Sequence, residues 1–284
     1  MDLSNKRILV TGANGQLGSA IVSVFKQHHL DVVGTDKAIM DITNQSQVFD
    51  VVKQVNPNII IHCAAYTAVD KAEDDKLNCY KVNVEGTRNL ALIAKALNIE
   101  FIYFSTDYVF DGTKNEPYEV DDIPNPINYY GLTKYLGEEI VKSLFTNYYI
   151  FRISWVFGPK GKNFVNTILR LAIEKPSLNV VFDQVGSPTY TIDVANFLLS
   201  KPNIHFGTHH LTNDGYISWY EFANEIIRIS KLPCQILPIP SSGYKTLAKR
   251  GLNSRINKNT STTLKKWNIA LVSYIDKILK ENNS

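Results

Sequence analysis

Apolar residues come first in short unbroken blocks, and each block is followed by a stretch in which they recur at helical spacing. Lys6–Thr11 reads as a buried strand, Gly12–Gly18 as a turn and Gln16–Gln27 as a helix. The alternation continues through strand Leu30–Thr35, helix Ser46–Val55 and strand Asn58–His62. It then runs through a long helix Leu77–Asn98, strand Glu100–Ser105, helix Tyr130–Ser143 and strand Tyr148–Ser154. This order predicts an α/β fold: a doubly wound parallel sheet, covered on both faces and joined by right-handed crossovers.

After Trp155 the alternation weakens. Asn163–Glu174 and Ser218–Ser230 keep helical spacing, while prolines gather at Pro176, Pro188, Pro202, Pro233, Pro238 and Pro240. The expected organisation is a doubly wound domain over residues 1–155, to which the chain returns near 184–203, and a smaller α+β domain over 156–284. No repeat, low-complexity tract or long linker separates the two.

Composition narrows the function. An apolar content of 44% and a charged content of 20% over 284 residues are ordinary for a globular chain. A net charge of +3, without clustered basic runs, argues against nucleic acid or an anionic membrane as partner. No apolar stretch approaches the ~20 residues that span a bilayer, and the N-terminus M-D-L-S-N-K-R carries no signal-peptide pattern. Cys63, Cys79 and Cys234 are far apart and lack metal-ligand spacing. They read as small buried hydrophobes in a reduced cytoplasmic compartment, and no metal is expected.

The first turn carries the first chemistry. Gly12, Gly15 and Gly18 in G-x-x-G-x-x-G stand between a strand and a helix. There, free N–H groups and the positive end of the helix dipole suit a pyrophosphate. This makes the domain Rossmann-type and Gly12, Asn14, Gly15, Gln16, Leu17 and Gly18 the cofactor turn. Asp36 ends the second strand, where a carboxylate accepts from ribose hydroxyls and favours NADH. Lys37 follows and suits a 2′-phosphate, so either NADPH or NADH is expected. Asp41 and Ile42 are expected to flank the adenine, and Ala64, Ala65 and Tyr66, after the third strand, to line the crevice.

Tyr130-Gly-Leu-Thr-Lys134 is Y-x-x-x-K, which puts both side chains on one helical face. An unperturbed tyrosine titrates near ~10, and the expectation is that the Lys134 ammonium, with the positive charge of the oxidised nicotinamide, lowers that value so that Tyr130 gives a proton to a developing alkoxide. Thr106, at the end of the fourth strand, is placed to hydrogen-bond a substrate carbonyl oxygen. Y-x-x-x-K alone recurs by chance on surface helices. With the glycine turn and Thr106 in order, it reads as a proton-handling set in a nicotinamide-dependent oxidoreductase.

With these residues in view, the chain resembles the extended short-chain dehydrogenase/reductases, and within them the dTDP-4-dehydrorhamnose reductase family. The likeness rests on T-G-A-N-G-Q-L-G (Thr11–Gly18), H-C-A-A-Y-T-A-V-D (His62–Asp70), S-T-D-Y-V-F-D-G (Ser105–Gly112) and Y-G-L-T-K (Tyr130–Lys134). S-W-V-F-G (Ser154–Gly158), N-F-V (Asn163–Val165), D-Q-V-G-S-P-T (Asp183–Thr189) and N-S-R (Asn253–Arg255) extend it along the chain. The resemblance implies reduction of the 4-keto group of a dTDP-sugar, dTDP-4-dehydro-L-rhamnose, for polysaccharide precursors, by a monomer or homodimer. It implies a catalytic set of Thr106, Tyr130 and Lys134, and Phe104 beside the cofactor. Asp107 and Trp155 would meet the deoxysugar, and Asn163, Gln184 and Arg255 the nucleotide diphosphate side. Related sugar-nucleotide chemistries share the scaffold: a 4-epimerase, a 6-deoxy-talose-forming reductase, a 4,6-dehydratase, or a non-catalytic regulatory subunit. A dehydratase would carry Glu where Tyr108 stands.

Overall fold

The computed structural model describes residues 3–200, 202–258 and 262–282, so Met1 and Asp2 of the N-terminal segment lie outside it. Four-residue blocks form one side of the sheet: β1 (Ile8–Thr11), β2 (Val32–Thr35) and β3 (Ile59–His62). β4 (Glu100–Thr106) and β5 (Tyr149–Ile153) extend it. β1, β3 and β5 are buried at every position, as strands covered on both faces must be. A later strand, Gly207–His210, pairs with β5 as the edge. The spatial order is Gly207–His210, β5, β4, β3, β1, β2, and every pairing is parallel. The order reverses between β1 and β3, and that switch point opens a crevice beyond their C-terminal ends.

Helix α1 (Gln16–Gln27) covers one face of the sheet. Val194, Ala195 and Leu198 of the later helix Thr191–Leu199 pack in the same core cluster as Leu17, Ile21 and Phe25. α2 (Gln45–Val55) and the segment Thr87–Ala96 cover the other face through Val48, Val52, Leu90 and Ala94. The long helix expected over Leu77–Asn98 is interrupted: Lys76–Tyr80 and Thr87–Ala96 are α-helical, and Lys81–Gly86 between them is a π-turn. A second core gathers Phe157 of the strand Val156–Phe157 with Val165, Ile168, Phe222, Ile226 and Tyr274 of the helices Phe164–Glu174, Trp219–Ser230 and Trp267–Asn282. Among the described residues no helix is long and apolar enough to cross a membrane.

Candidate active site

Between these cores, at the switch point, lies a cleft of ≈ 720 Å³. Its floor begins at the turn after β1. Gly12 has φ +66°, and a Cβ there would fall 2.7 Å from the Ala64 backbone, so only glycine lets the turn close on the segment after β3. Gly15 is the N-cap of α1, with no side-chain cap and no acidic residue in the first turn. The first-turn amides are therefore without a side-chain acceptor, as an anion site at a helix start requires.

Asp36, at the end of β2, accepts from the Ala38 and Ile39 amides at 3.0 and 3.1 Å and from the Asn14 side chain. Lys37 stands exposed, 4.0 Å from Asp41. Asp41, Ile42, Ala64, Ala65, Tyr66 and Phe104 line the same cleft as the glycine turn, Tyr130 and Lys134. A pyrophosphate-sized anion fits the turn, and Asp36 and Lys37 line the same cleft.

Helix Tyr129–Leu144 carries Tyr130 and Lys134. Asn128 caps it, its side-chain oxygen accepting from Gly131 N at 2.8 Å. Tyr130 is buried, and the Thr106 side chain acts on its phenol from nearby. Lys134 is 3% exposed, with Nζ 4.1 Å from the centroid of the Tyr103 ring. Burial, then the charge of Asp107, pushes the Tyr130 phenol above its ordinary value. The expectation that Lys134 lowers it is corrected here. The ammonium faces Tyr103, and its own value is brought down to about 7 by burial, with the Glu138 charge opposing. Tyr130 is therefore held as a neutral phenol, the form that can donate.

Asp107 is 5% exposed, and burial raises its carboxyl to about 6 despite the hydrogen bond from Thr106. Its Oδ1 accepts from Thr106 Oγ1 at 3.0 Å, its Oδ2 is buried without a hydrogen-bond partner, and the residue lines the cleft.

Residues 6–280 match the family model described as RmlD substrate binding domain. The dTDP-4-dehydrorhamnose reductase of Aggregatibacter actinomycetemcomitans is 39% identical over 262 residues, 87% of this chain and 89% of that protein. The chain belongs to the dTDP-4-dehydrorhamnose reductase family. A solved family structure, the Bacillus anthracis enzyme in complex with NADP, superposes with a TM-score of 0.91 at 39% identity, covering 96% of this chain and 99% of that one. The UDP-glucose 4-epimerase of Thermus thermophilus, in complex with NAD, has a TM-score of 0.83 at 18% identity over 95% and 98% of the two chains, and shares the fold.

For this family member, every residue that the sequence suggested for the cofactor lines the cleft, and so do Thr106, Asp107 and Trp155. Asn163, Gln184 and Arg255 are not among the lining residues. Asn163 caps helix Phe164–Glu174 and donates to Gly158 O at 3.0 Å. The Gln184 carbonyl accepts from Trp219 N at 3.3 Å. Arg255 donates to Asn253 Oδ1 at 2.8 Å and to the Asn115 carbonyl. Cys79 and Cys234 are buried as expected, but Cys63 is only partly so and lines the cleft.

Trp219 was not legible from the motifs. Its ring stacks on that of Trp155, with centroids 3.3 Å apart and planes 5° from parallel, and both line the cleft. Trp155 has φ +45°, and a Cβ on Gly186 would fall 2.6 Å from its Nε1, so glycine at 186 makes room for the indole. Tyr108 also lines the cleft, with its ring edge-on to Tyr130 at 5.8 Å and 80°.

The buried Asp107 carboxyl makes a testable claim on stability. Its folded value, about 6, lies above the unfolded value near 3.8. The folded state therefore binds the proton more tightly, and stability falls as pH rises from about 4 to about 6. Asp107→Asn is expected to flatten that slope and to raise stability by roughly 1–3 kcal/mol above pH ~6, while lowering turnover. Urea unfolding at pH 4.5 and 7.5 reads the difference, and equal slopes in the two proteins would remove the claim.

Proposed function

We propose that the chain reduces the 4-keto group of dTDP-4-dehydro-L-rhamnose to give dTDP-L-rhamnose, with NADPH or NADH as hydride donor, in a cytoplasmic route to polysaccharide precursors. The observation that carries this reading is one cleft that combines the dinucleotide turn, Thr106 and Tyr130, buried Lys134 and the Asp107–Trp155 wall. The bound dinucleotide supplies the hydride. Thr106 and Tyr130 hydrogen-bond the keto oxygen, which stabilises charge where it develops. The carbonyl π pair moves to that oxygen, which takes the Tyr130 proton, and solvent restores the phenol. Lys134 adds positive charge beneath the reaction centre and holds the ribose side of the cofactor.

Asp107 accepts from a sugar hydroxyl through its free oxygen, and Trp155, backed by Trp219, forms the apolar wall against the deoxysugar. Asn163, Gln184 and Arg255, which are not among the lining residues, support the nucleotide side. Residues 1–155, with the return near 184–203, serve the dinucleotide, and most of 156–284 serves the sugar nucleotide.

The test is NADPH and NADH oxidation with dTDP-4-dehydro-L-rhamnose, followed by product stereochemistry. Oxidation with formation of dTDP-L-rhamnose is expected. A 6-deoxy-talose product would reassign the sugar, and no oxidation with either cofactor would overturn the reading.

A further inference from the structure

Tyr130 stands in the first turn of its helix, the part of a helix least restrained by its own hydrogen bonds. A proton donor placed there needs restraint from elsewhere. It comes from Ala248–Arg250, a tripeptide more than a hundred residues along the chain. The Lys249 carbonyl accepts from Asn128 Nδ2 at 3.0 Å, while Asn128 Oδ1 caps the helix. Arg250 donates to both oxygens of Asp70, Nη1–Oδ1 at 3.0 Å and Nη2–Oδ2 at 2.7 Å. Asp70 Oδ1 also accepts from Ala248 N at 3.1 Å. The same guanidinium charge acts on the Tyr108 phenol, opposing the rise that burial imposes on it. Tyr108 in turn meets Tyr130 edge-on and donates its backbone N–H to Thr106 Oγ1 at 3.2 Å.

We propose that Arg250 is a positioning residue for the reduction: paired with Asp70, it locks Tyr108 against Tyr130 and ties the start of the proton-donor helix to the segment that leads to Arg255. A two-point Arg–carboxylate bond fixes orientation as well as distance, which a single surface charge does not. The clamp joins three separate stretches, the one after β3, the turn after β4 and the helix cap. It gives substrate-side movement of residues 248–255 a direct mechanical route to the proton donor. The proposal rests on the reductase reading for its kinetic consequence, but not for its structural one.

Arg250→Ala is expected to lower kcat by about 10-fold or more, since sub-ångström misplacement of a donor costs rate steeply, with the KM for NADPH changed less than about twofold. Arg250→Lys should recover part of the loss. Tyr108→Phe should lower kcat in the same direction. The double variant Arg250→Ala/Tyr108→Phe should be no slower than the worse single variant, because both break one connection. Backbone hydrogen exchange supplies a readout independent of turnover: peptides over 107–112 and 128–134 should exchange faster in Arg250→Ala and in Asp70→Asn than in the unsubstituted protein. Unchanged exchange, unchanged kcat or fully additive losses would overturn the clamp. If the unsubstituted protein does not oxidise NADPH with the keto-sugar, the reductase reading fails, and exchange alone decides the clamp. If Arg250→Ala does not fold, Arg250→Lys and Tyr108→Phe carry the same comparison.

Discussion

Tyr130→Phe is expected to bind NADPH as the unsubstituted protein does and to lose turnover by about 10²–10⁴-fold, the usual contribution of a positioned proton donor. The substitution keeps the ring that packs with Ala72, Cys79 and Tyr108 and removes only the phenolic oxygen. The site is built to keep that oxygen protonated: burial and the Asp107 charge both oppose its ionisation. Without it, the nearest hydroxyl on the keto oxygen is Thr106, which has no comparable acidity. Cofactor fluorescence titration and steady-state oxidation separate binding from turnover. Turnover within twofold of the unsubstituted protein would remove Tyr130 from its role.

The placement of the cofactor residues was readable from sequence because topology dictates it. In a parallel sheet the strand ends converge, so the segments after β1, β2, β3 and β4 must share one edge. Side-chain direction was not readable in the same way. The i, i+4 spacing of Tyr130 and Lys134 gives a shared face, but the ammonium turns to the Tyr103 ring. Nor did helical spacing reveal the π-turn at Lys81–Gly86. There Asn83 points inward, accepting from Tyr66 N at 2.8 Å and donating to Thr133 Oγ1 at 2.9 Å, so it binds the segment after β3 to the helix of Tyr130. A π-turn spent on one polar side chain leaves no periodic signature and commonly marks a functional region. Trp219 was hidden for another reason: its partner Trp155 lies far away in sequence, and only the packing of the second core brings the indoles together.

Glu138 shows the largest gap between pattern and structure, and it carries the second large expected effect. In the helix sequence it reads as a solvated charge, yet it is 0% exposed and Arg152 of β5 is 2% exposed. Arg152 Nε and Nη2 donate to its two oxygens at 2.9 and 2.8 Å, and Nη1 donates to Val120 O at 3.0 Å. Glu138→Ala strands a buried guanidinium and is expected to cost about 3–5 kcal/mol of stability. The double variant Glu138→Leu/Arg152→Met, which removes both charges and fills the space, should recover much of that loss. It should not recover activity. The Glu138 charge is what opposes the burial-driven fall of Lys134, whose ammonium is lost as pH rises through about 7. Removing that charge moves the loss to lower pH, so the alkaline limb of kcat/KM should shift toward acid in the double variant even where the fold is restored. Chemical denaturation and pH–rate profiles read the two effects separately. A double variant as unstable as Glu138→Ala would refute the charge account of stability. One with an unmoved alkaline limb would show that Lys134 draws its charge from elsewhere.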